Sequence, residues 1–226
     1  MSNIVLCAVT LVVSFSGVIL FYKMFGKIGL FVWLSIAAII ANIQTVKLVD
    51  IFGLETSLGT ILYGSTFLAT DIINEKYGKK EAKKTVYLGF LVMTFFTVLM
   101  YIALLYKPSS SDFASESLDL IFTLNIRITI ASILGFVVSQ FMDTSIYNKL
   151  KNKSQHLWLR NNVSTIISQL FDTIIFVLIT YIGEIELSVI INIAITKYLF
   201  KIIVAILDTP FMYLSKKVKY NKEENL

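Results

Sequence analysis

Residues 85–106 read TVYLGFLVMTFFTVLMYIALLY. The stretch carries no charged side chain, is preceded by the basic run KKEAKK at 79–84, and is stopped by Lys107-Pro108. A bilayer core needs about 20 apolar residues in a helix, and this stretch is long enough to cross it. An apolar segment this long, bounded by charge on both sides, is a transmembrane helix rather than a core helix of a soluble domain. The rest of the chain repeats the pattern. Of 226 residues 56% are hydrophobic and only 15% charged, with a mean hydropathy of +0.77. Soluble domains are nearer a quarter charged. The sequence predicts an all-α, polytopic integral membrane bundle of six to seven transmembrane helices, with residues 1–226 forming a single transmembrane domain.

The spans read as roughly 4–22, 28–47, 57–74, 85–106, 119–146, 162–182 and 187–213. The stretch from Ile4 to Tyr22 lacks a basic segment before it, and Lys23 and Lys27 follow it. That is the reverse of signal-peptide order, so it reads as a retained span. The third span is short, holds Gly59, Gly64 and Thr66 and runs into Asp71. It reads either as a crossing helix or as a broken, partly re-entrant one, which is tolerated only where protein or a cavity covers the backbone. Lysine and arginine set the orientation. Alternate connections hold Lys23 and Lys27, then Lys76 to Lys84, then Lys149 to Arg160, then Lys216 to Lys222; these total fifteen basic residues, against Lys47 and Lys107 on the other side. The positive-inside rule makes the first side cytoplasmic, together with the C-terminus. Seven crossings fit this bias better than six. The pI near 9.1 therefore reflects topology, and nucleic acid is not an expected partner.

Polar groups inside the spans are the second signal. A charged group at the bilayer centre costs about 2.5–3.5 kcal/mol on insertion scales. Asp71, Asp143, Asp172, Asp208, Arg127, Lys197 and Lys201 all fall within or at the edges of spans. Helical spacing groups them with hydroxyls and amides: Asn125, Thr129, Ser132, Ser139 and Asp143 on one face, Asn161, Thr165, Ser168 and Asp172 on another. Lys197, Lys201 and Asp208 lie within about 40° of one another at 100° per residue. These stripes predict an interior polar pocket, with Lys201 neutralising Asp208. SQFMDT at 139–144 is echoed by SQLFDT at 168–173; such internal echoes are frequent in transporters. His156, the one histidine, stands apart from Cys7, the one cysteine, which argues against a histidine-based metal site or hydrolytic triad and against an enzyme. No phosphate-binding G-x-x-x-x-G-K-[ST] loop is present, and no cofactor is expected.

Four blocks carry a family resemblance: TDIINEKYGKK at 70–80; Arg127 with Ala131-Ser132 and Ser139-Gln140-x-x-Asp143; LWLRNNVSTIISQLFDT at 157–173; and Lys201 followed by LDTP at 207–210. In order and content they resemble the queuosine precursor transporter family, the YhhQ-like membrane proteins. Val163 departs from a glycine usual there, which bears on fine specificity. The resemblance implies a fold similar to the substrate-binding subunits of energy-coupling-factor vitamin transporters. It also implies uptake of a 7-deazaguanine base (the cyano or aminomethyl precursor, or queuine) across the inner, cytoplasmic membrane for tRNA modification. The alternative is a carrier or binding subunit for another purine-like or vitamin-like solute that needs a separate energising partner. A homodimer is left open.

Such a base offers a ring N–H and an amine as paired donors, a carbonyl acceptor and a flat face. Asp71, Glu75 or Asp172 would take the donors, with Asp172 favoured by its mid-span position. Asn74, Asn162, Gln169 or Arg160 would serve the carbonyl. Tyr77, Trp158, Phe171 or Phe211 would stack. Arg127, Asp143, Lys201 and Asp208 are left as coupling or ion-pair residues, with protonation of an intramembrane aspartate and facilitated diffusion both open.

Overall fold

The computed structural model describes residues 2–51, 53–122, 126–184 and 186–220; the side chains at 54, 55, 126, 127 and 129 are also outside the described set. Helices dominate: α1 (Asn3–Gln44), α2 (Gly59–Tyr77), α3 (Lys79–Leu104), α4 (Ser115–Phe122), α5 (Ile126–Lys151), α6 (Leu157–Tyr181) and α7 (Leu187–Lys217). Five of them, α1, α3, α5, α6 and α7, are long and apolar enough to cross a membrane.

The first two expected spans are the two arms of α1. A straight helix of 42 residues would run about 63 Å at 1.5 Å per residue, twice the bilayer core. The helix breaks at Gly26, whose φ of 58° and ψ of −133° suit a residue without a Cβ. The arms fold back on each other there: the Phe21 and Trp33 rings pack edge to face at 5.4 Å, and Asn3 Nδ2 donates to the Asp50 carbonyl at 3.0 Å. Between α1 and α2 lies an element outside the all-helical expectation. Strands β1 (Leu48–Ile51) and β2 (Leu54–Ser57) pair antiparallel, Ile51 opposite Leu54. Gly53, at φ 75°, closes the turn and its N–H donates to Asp50 Oδ1.

The third span is a continuous helix, not a broken one. Its 19 residues rise about 28 Å, close to the bilayer core. It packs against α1, α3, α5 and α7, and nearly every residue from Thr60 to Asn74 is buried or half-buried. Shielded from lipid, it needs no apolar surround, so its composition reads weakly as a span.

The two arms of α1 with α2, α3, α5, α6 and α7 make seven passes between two ends. One end is basic. There the Gly26 turn meets Tyr220, Lys27 pairs with Glu81, and Lys76 Nζ donates to the Val218 carbonyl. The other end carries the hairpin and α4. The expected fifth span falls on α4 and α5, and Asp112 precedes α4. Its carboxylate accepts the N–H groups of Ala114 and Ser115, and these bonds hold it below the usual carboxylate range. The α6 helix starts earlier than the sixth expected span, so Trp158 and Arg160 stand in its first turn rather than in a loop.

The bundle is apolar outside and polar within. Val13, Ile28, Phe95 and Leu99 are more than 60% exposed on its surface. Ser65, Thr66, Thr70, Asp71, Asn74, Ser139, Gln140, Asp143 and Thr144 are wholly buried. Because lipid tails are as apolar as leucine, close packing and interhelical hydrogen bonds, about 0.6 kcal/mol on average for each bond, replace the hydrophobic effect between helices. Trp33 Nε1 to Ser65 Oγ, Asn74 Nδ2 to the Thr144 carbonyl and Gln140 Nε2 to Thr66 Oγ1 are such ties.

Candidate functional site

A partly open cavity of about 70 Å³ lies in the half of the bundle toward the hairpin. Every long helix contributes to its wall. The aromatic surfaces are Tyr63 of α2, Phe136 of α5 and Phe176 of α6, and the charged residues are Asp172, Lys197 and Lys201. Lys201 Nζ forms an ion pair with Asp172, both residues only 7% exposed. Tyr63 Oη donates to Asp172 Oδ1 at 3.4 Å. Gly135 makes room for this carboxylate, since a Cβ there would stand 2.7 Å from Asp172 Oδ1. Removing either charge would leave the other buried and alone.

The predicted pairing of Lys201 with Asp208 is therefore corrected. The two share a face of α7 but are seven residues apart, about 10 Å along the axis. Asp172 of α6 stands level with Lys201. Asp208 instead accepts from Asn161 Nδ2 at 2.7 Å.

A smaller cavity of about 10 Å³ continues from the first, sharing Thr60, Tyr63 and Lys201 and reaching Gln169, Thr165 and Asp208. Beyond it is a buried acidic cluster. Asp143 accepts from Thr165 Oγ1 at 3.2 Å and Ser168 Oγ at 3.4 Å. Asp71 faces Asp143, with Asp208 beside the pair. Neither Asp71 oxygen has an amide or hydroxyl donor, and no lysine or arginine lies within ion-pair distance of the three carboxyls, among the described residues. The described residues hold no group of three or more His, Cys, Asp or Glu side chains arranged to bind a metal ion.

Glu75 closes the basic end. It forms ion pairs with Arg160 of α6 at 2.5 Å, Lys151 of α5 at 3.3 Å and Lys216 of α7 at 3.3 Å, and Tyr147 Oη donates to it at 3.2 Å. Lys151 Nζ also donates to the Asn74 carbonyl, and Arg160 to the Ser154 carbonyl. Four helices are thereby tied at one carboxylate.

The structure thus distributes the residues singled out from sequence over three levels. Asp172 lines the first cavity and Gln169 the second, where Gln169 Oε1 is buried without a described partner. Asp208 also lines the second cavity, Asp71, Asn74 and Asp143 lie deeper, and Glu75 and Arg160 form the closure. Asn162 lies at the α6–α7 contact, its Nδ2 donating to the Trp158 carbonyl and Thr209 Oγ1. The Arg127 side chain lies outside the described residues.

The residues expected to stack lie away from both cavities. Tyr77, Trp158 and Phe171 are 36%, 51% and 41% exposed and line neither cavity. Phe171 adjoins Asp172 in sequence, and consecutive helical residues point about 100° apart, so one faces the cavity and the other the lipid. Phe211 packs on Phe15, ring centroids 5.2 Å apart. The cavity aromatics Tyr63, Phe136 and Phe176 carried no sequence signal, because an inward and an outward aromatic look alike in an apolar span.

The family model described as "Putative vitamin uptake transporter" matches residues 57–215. A Bacillus subtilis (strain 168) protein named "Probable queuosine precursor transporter" is 42% identical over 217 residues, 95% of each chain. The Escherichia coli (strain K12) "Queuosine precursor transporter" is 27% identical over 170 residues, covering 73% of this chain and 74% of its own. A Haemophilus influenzae protein named "Probable queuosine precursor transporter" is 28% identical over 130 residues, 58% of this chain and 54% of its own. No solved structure matches the chain.

Proposed function

The chain belongs to the queuosine precursor transporter family, and we propose that it takes up a 7-deazaguanine precursor of queuosine across the cytoplasmic membrane for tRNA modification. It is a multi-pass membrane protein and not an enzyme. The observation that carries the site assignment is the buried Asp172–Lys201 pair on the wall of an aromatic-lined cavity.

The chemistry of the base fits this pair. The ring N1–H and the 2-amino group are adjacent donors, and one carboxylate accepts both. Asp172 is that acceptor. The carbonyl next to N1 accepts from Lys201, so an incoming base takes over interactions the two side chains make with each other. Tyr63, Phe136 and Phe176 offer aromatic surface for the ring faces. A site of this kind rejects analogues that lack the donor edge, because Asp172 would then be left buried without partners.

Orientation supports a carrier open toward the outside. Fourteen described basic residues belong to the end where Glu75 binds Arg160, Lys151 and Lys216, against Lys47 and Lys107 at the other, and the positive-inside rule makes the first end, with the end of α7, cytoplasmic. The large cavity is then in the outer half and the Glu75 network closes the inner exit.

The test is uptake of labelled cyano, aminomethyl and queuine bases by cells lacking both synthesis and their own carrier. Uptake of at least one base, with label recovered in tRNA and lost in Asp172→Asn, is expected. No uptake of any base by cells with confirmed membrane expression would overturn the function. Wild-type uptake by Asp172→Asn would remove the cavity assignment.

A further inference from the structure

Asp71 of α2 and Asp143 of α5 are wholly buried and stand within hydrogen-bond reach of each other. Asp143 accepts from Thr165 and Ser168, but neither oxygen of Asp71 meets an amide or hydroxyl donor. Among the described residues no lysine or arginine forms an ion pair with either carboxyl. Two carboxylates buried face to face repel by far more than thermal energy. Both are acceptors only when ionised, so a hydrogen bond between them needs a proton. One proton held by the pair removes one charge and gives each oxygen facing the other a partner, the solution that carboxyl dyads of acid–base enzymes adopt. The carboxyls do not converge as a metal site does.

The pair lies between the cavities and the inner closure. Asp208, beside it, lines the second cavity together with Lys201. On the other side Glu75 follows Asp71 by one helical turn, about 6 Å along α2. The titratable groups around the pair are Glu75 on α2, Tyr147 on α5 and Asp208 on α7. Tyr147 and Glu75 are bonded to one another, and Arg160 of α6 holds Glu75. From α1 and α3, which also pack on α2, the groups at this end are Tyr22, under Lys76, and the Lys27–Glu81 pair.

Resting on the transport reading above, we propose that Asp71 and Asp143 form a proton-binding site that latches the inner half of the carrier, holding one proton while the Glu75 network is closed and releasing it to cytoplasmic water when the network opens. Parting Glu75 from Arg160, Lys151 and Lys216 lets water reach Asp71. In water the repulsion between two carboxylates is weak, so both can ionise there. The proton passes from a carboxyl oxygen to water, and no other bond changes. The ionised pair then keeps α2 and α5 from closing until a proton returns from the same side.

Infrared spectroscopy of the purified protein in lipid at neutral pH reads the proton directly, because a protonated carboxyl has a carbonyl stretch that a carboxylate lacks. The expected result is such a band in the wild type, shifted in D2O and lost or weakened in Asp71→Asn. That variant imitates the protonated form, its amide donating to Asp143. It is therefore expected to keep the thermal midpoint, and the midpoint still rises with whichever of the cyano, aminomethyl and queuine bases the wild type takes up. Uptake of that base falls at least about tenfold, because the latch cannot ionise. Where Asp71→Asn does not reach the membrane, Asp143→Asn makes the same test from the other partner. A wild-type spectrum without the band overturns the proposal, as does a band unchanged in both variants. Uptake at the wild-type rate by Asp71→Asn overturns the latch. Absence of uptake of every base by the wild type overturns the transport reading, and the infrared band then still decides whether the pair holds a proton.

Discussion

Asp172→Asn separates the electrostatic role of the Asp172–Lys201 pair from its role in holding the base. The substitution keeps the side-chain volume but removes the charge, leaving Lys201 as a cation only 7% exposed without a counter-ion. Breaking a buried pair from one side costs about 3–5 kcal/mol. For the base the loss is separate. The carboxylate accepts two hydrogen bonds, each worth about 1.5–3 kcal/mol when the acceptor is charged. The amide turns one of those positions into a donor facing a donor. The combined effect on affinity is at least about a hundredfold. The double variant Asp172→Asn with Lys201→Met removes both charges, so the stranded cation disappears while the acceptor stays lost. We expect the single variant to show both a lower thermal midpoint in detergent and no uptake, and the double variant to recover most of the midpoint without recovering uptake. Paired measurements of melting and uptake on the same preparations decide it. Wild-type uptake in the double variant would refute the reasoning, because the pair would then be a strut rather than a site.

Glu75→Gln loosens the contacts with Arg160, Lys151 and Lys216, so a cysteine placed at Ser164 in a Cys7→Ser background is expected to label faster from the cytoplasmic side; an unchanged labelling rate would show that the Glu75 network is not the inner closure. Gly26→Ala places a Cβ 2.9 Å from the Tyr220 ring at a φ of 58° and costs at least about 1 kcal/mol, read as a lower thermal midpoint. Gly135→Ala puts a methyl 2.7 Å from Asp172 Oδ1, and uptake is expected to fall severalfold with membrane level retained, whereas normal uptake would mean that Asp172 can shift without consequence.

Charge and hydropathy made the crossings legible. A lipid-facing helix must be apolar over its whole length, so α3, α6 and α7 announce themselves without any knowledge of their neighbours. The α2 helix was legible only in part, because its neighbours rather than lipid surround it and its Gly, Ser and Thr content reads as weakness when it is a requirement of close packing. The break in α1 followed from the charge of Lys23 and Lys27, although the residue that makes it, Gly26, is identified by its backbone angles. The hairpin at Leu48–Ser57 was not foreseen.

The candidate site divides in the same way. Helical spacing put Lys197, Lys201 and Asp208 on one face, and that face does turn inward: Lys201 meets Asp172, and Asp208 meets Asn161. Spacing within one helix fixes direction around its axis but says nothing of height relative to another helix. The partner of Lys201 therefore depended on how far α6 is shifted along α7. The same limit hid Tyr63, Phe136 and Phe176, and it made Phe171 look like a stacking residue because it adjoins Asp172. Sequence by itself determined the membrane class, the family and the interior charges Asp71, Asp143, Asp172, Lys201 and Asp208, since each follows from composition and order along one chain. Which charges pair and which aromatics face the cavity were decided by tertiary packing, because contact energies fall off over a few ångströms and only the relative placement of helices sets those distances.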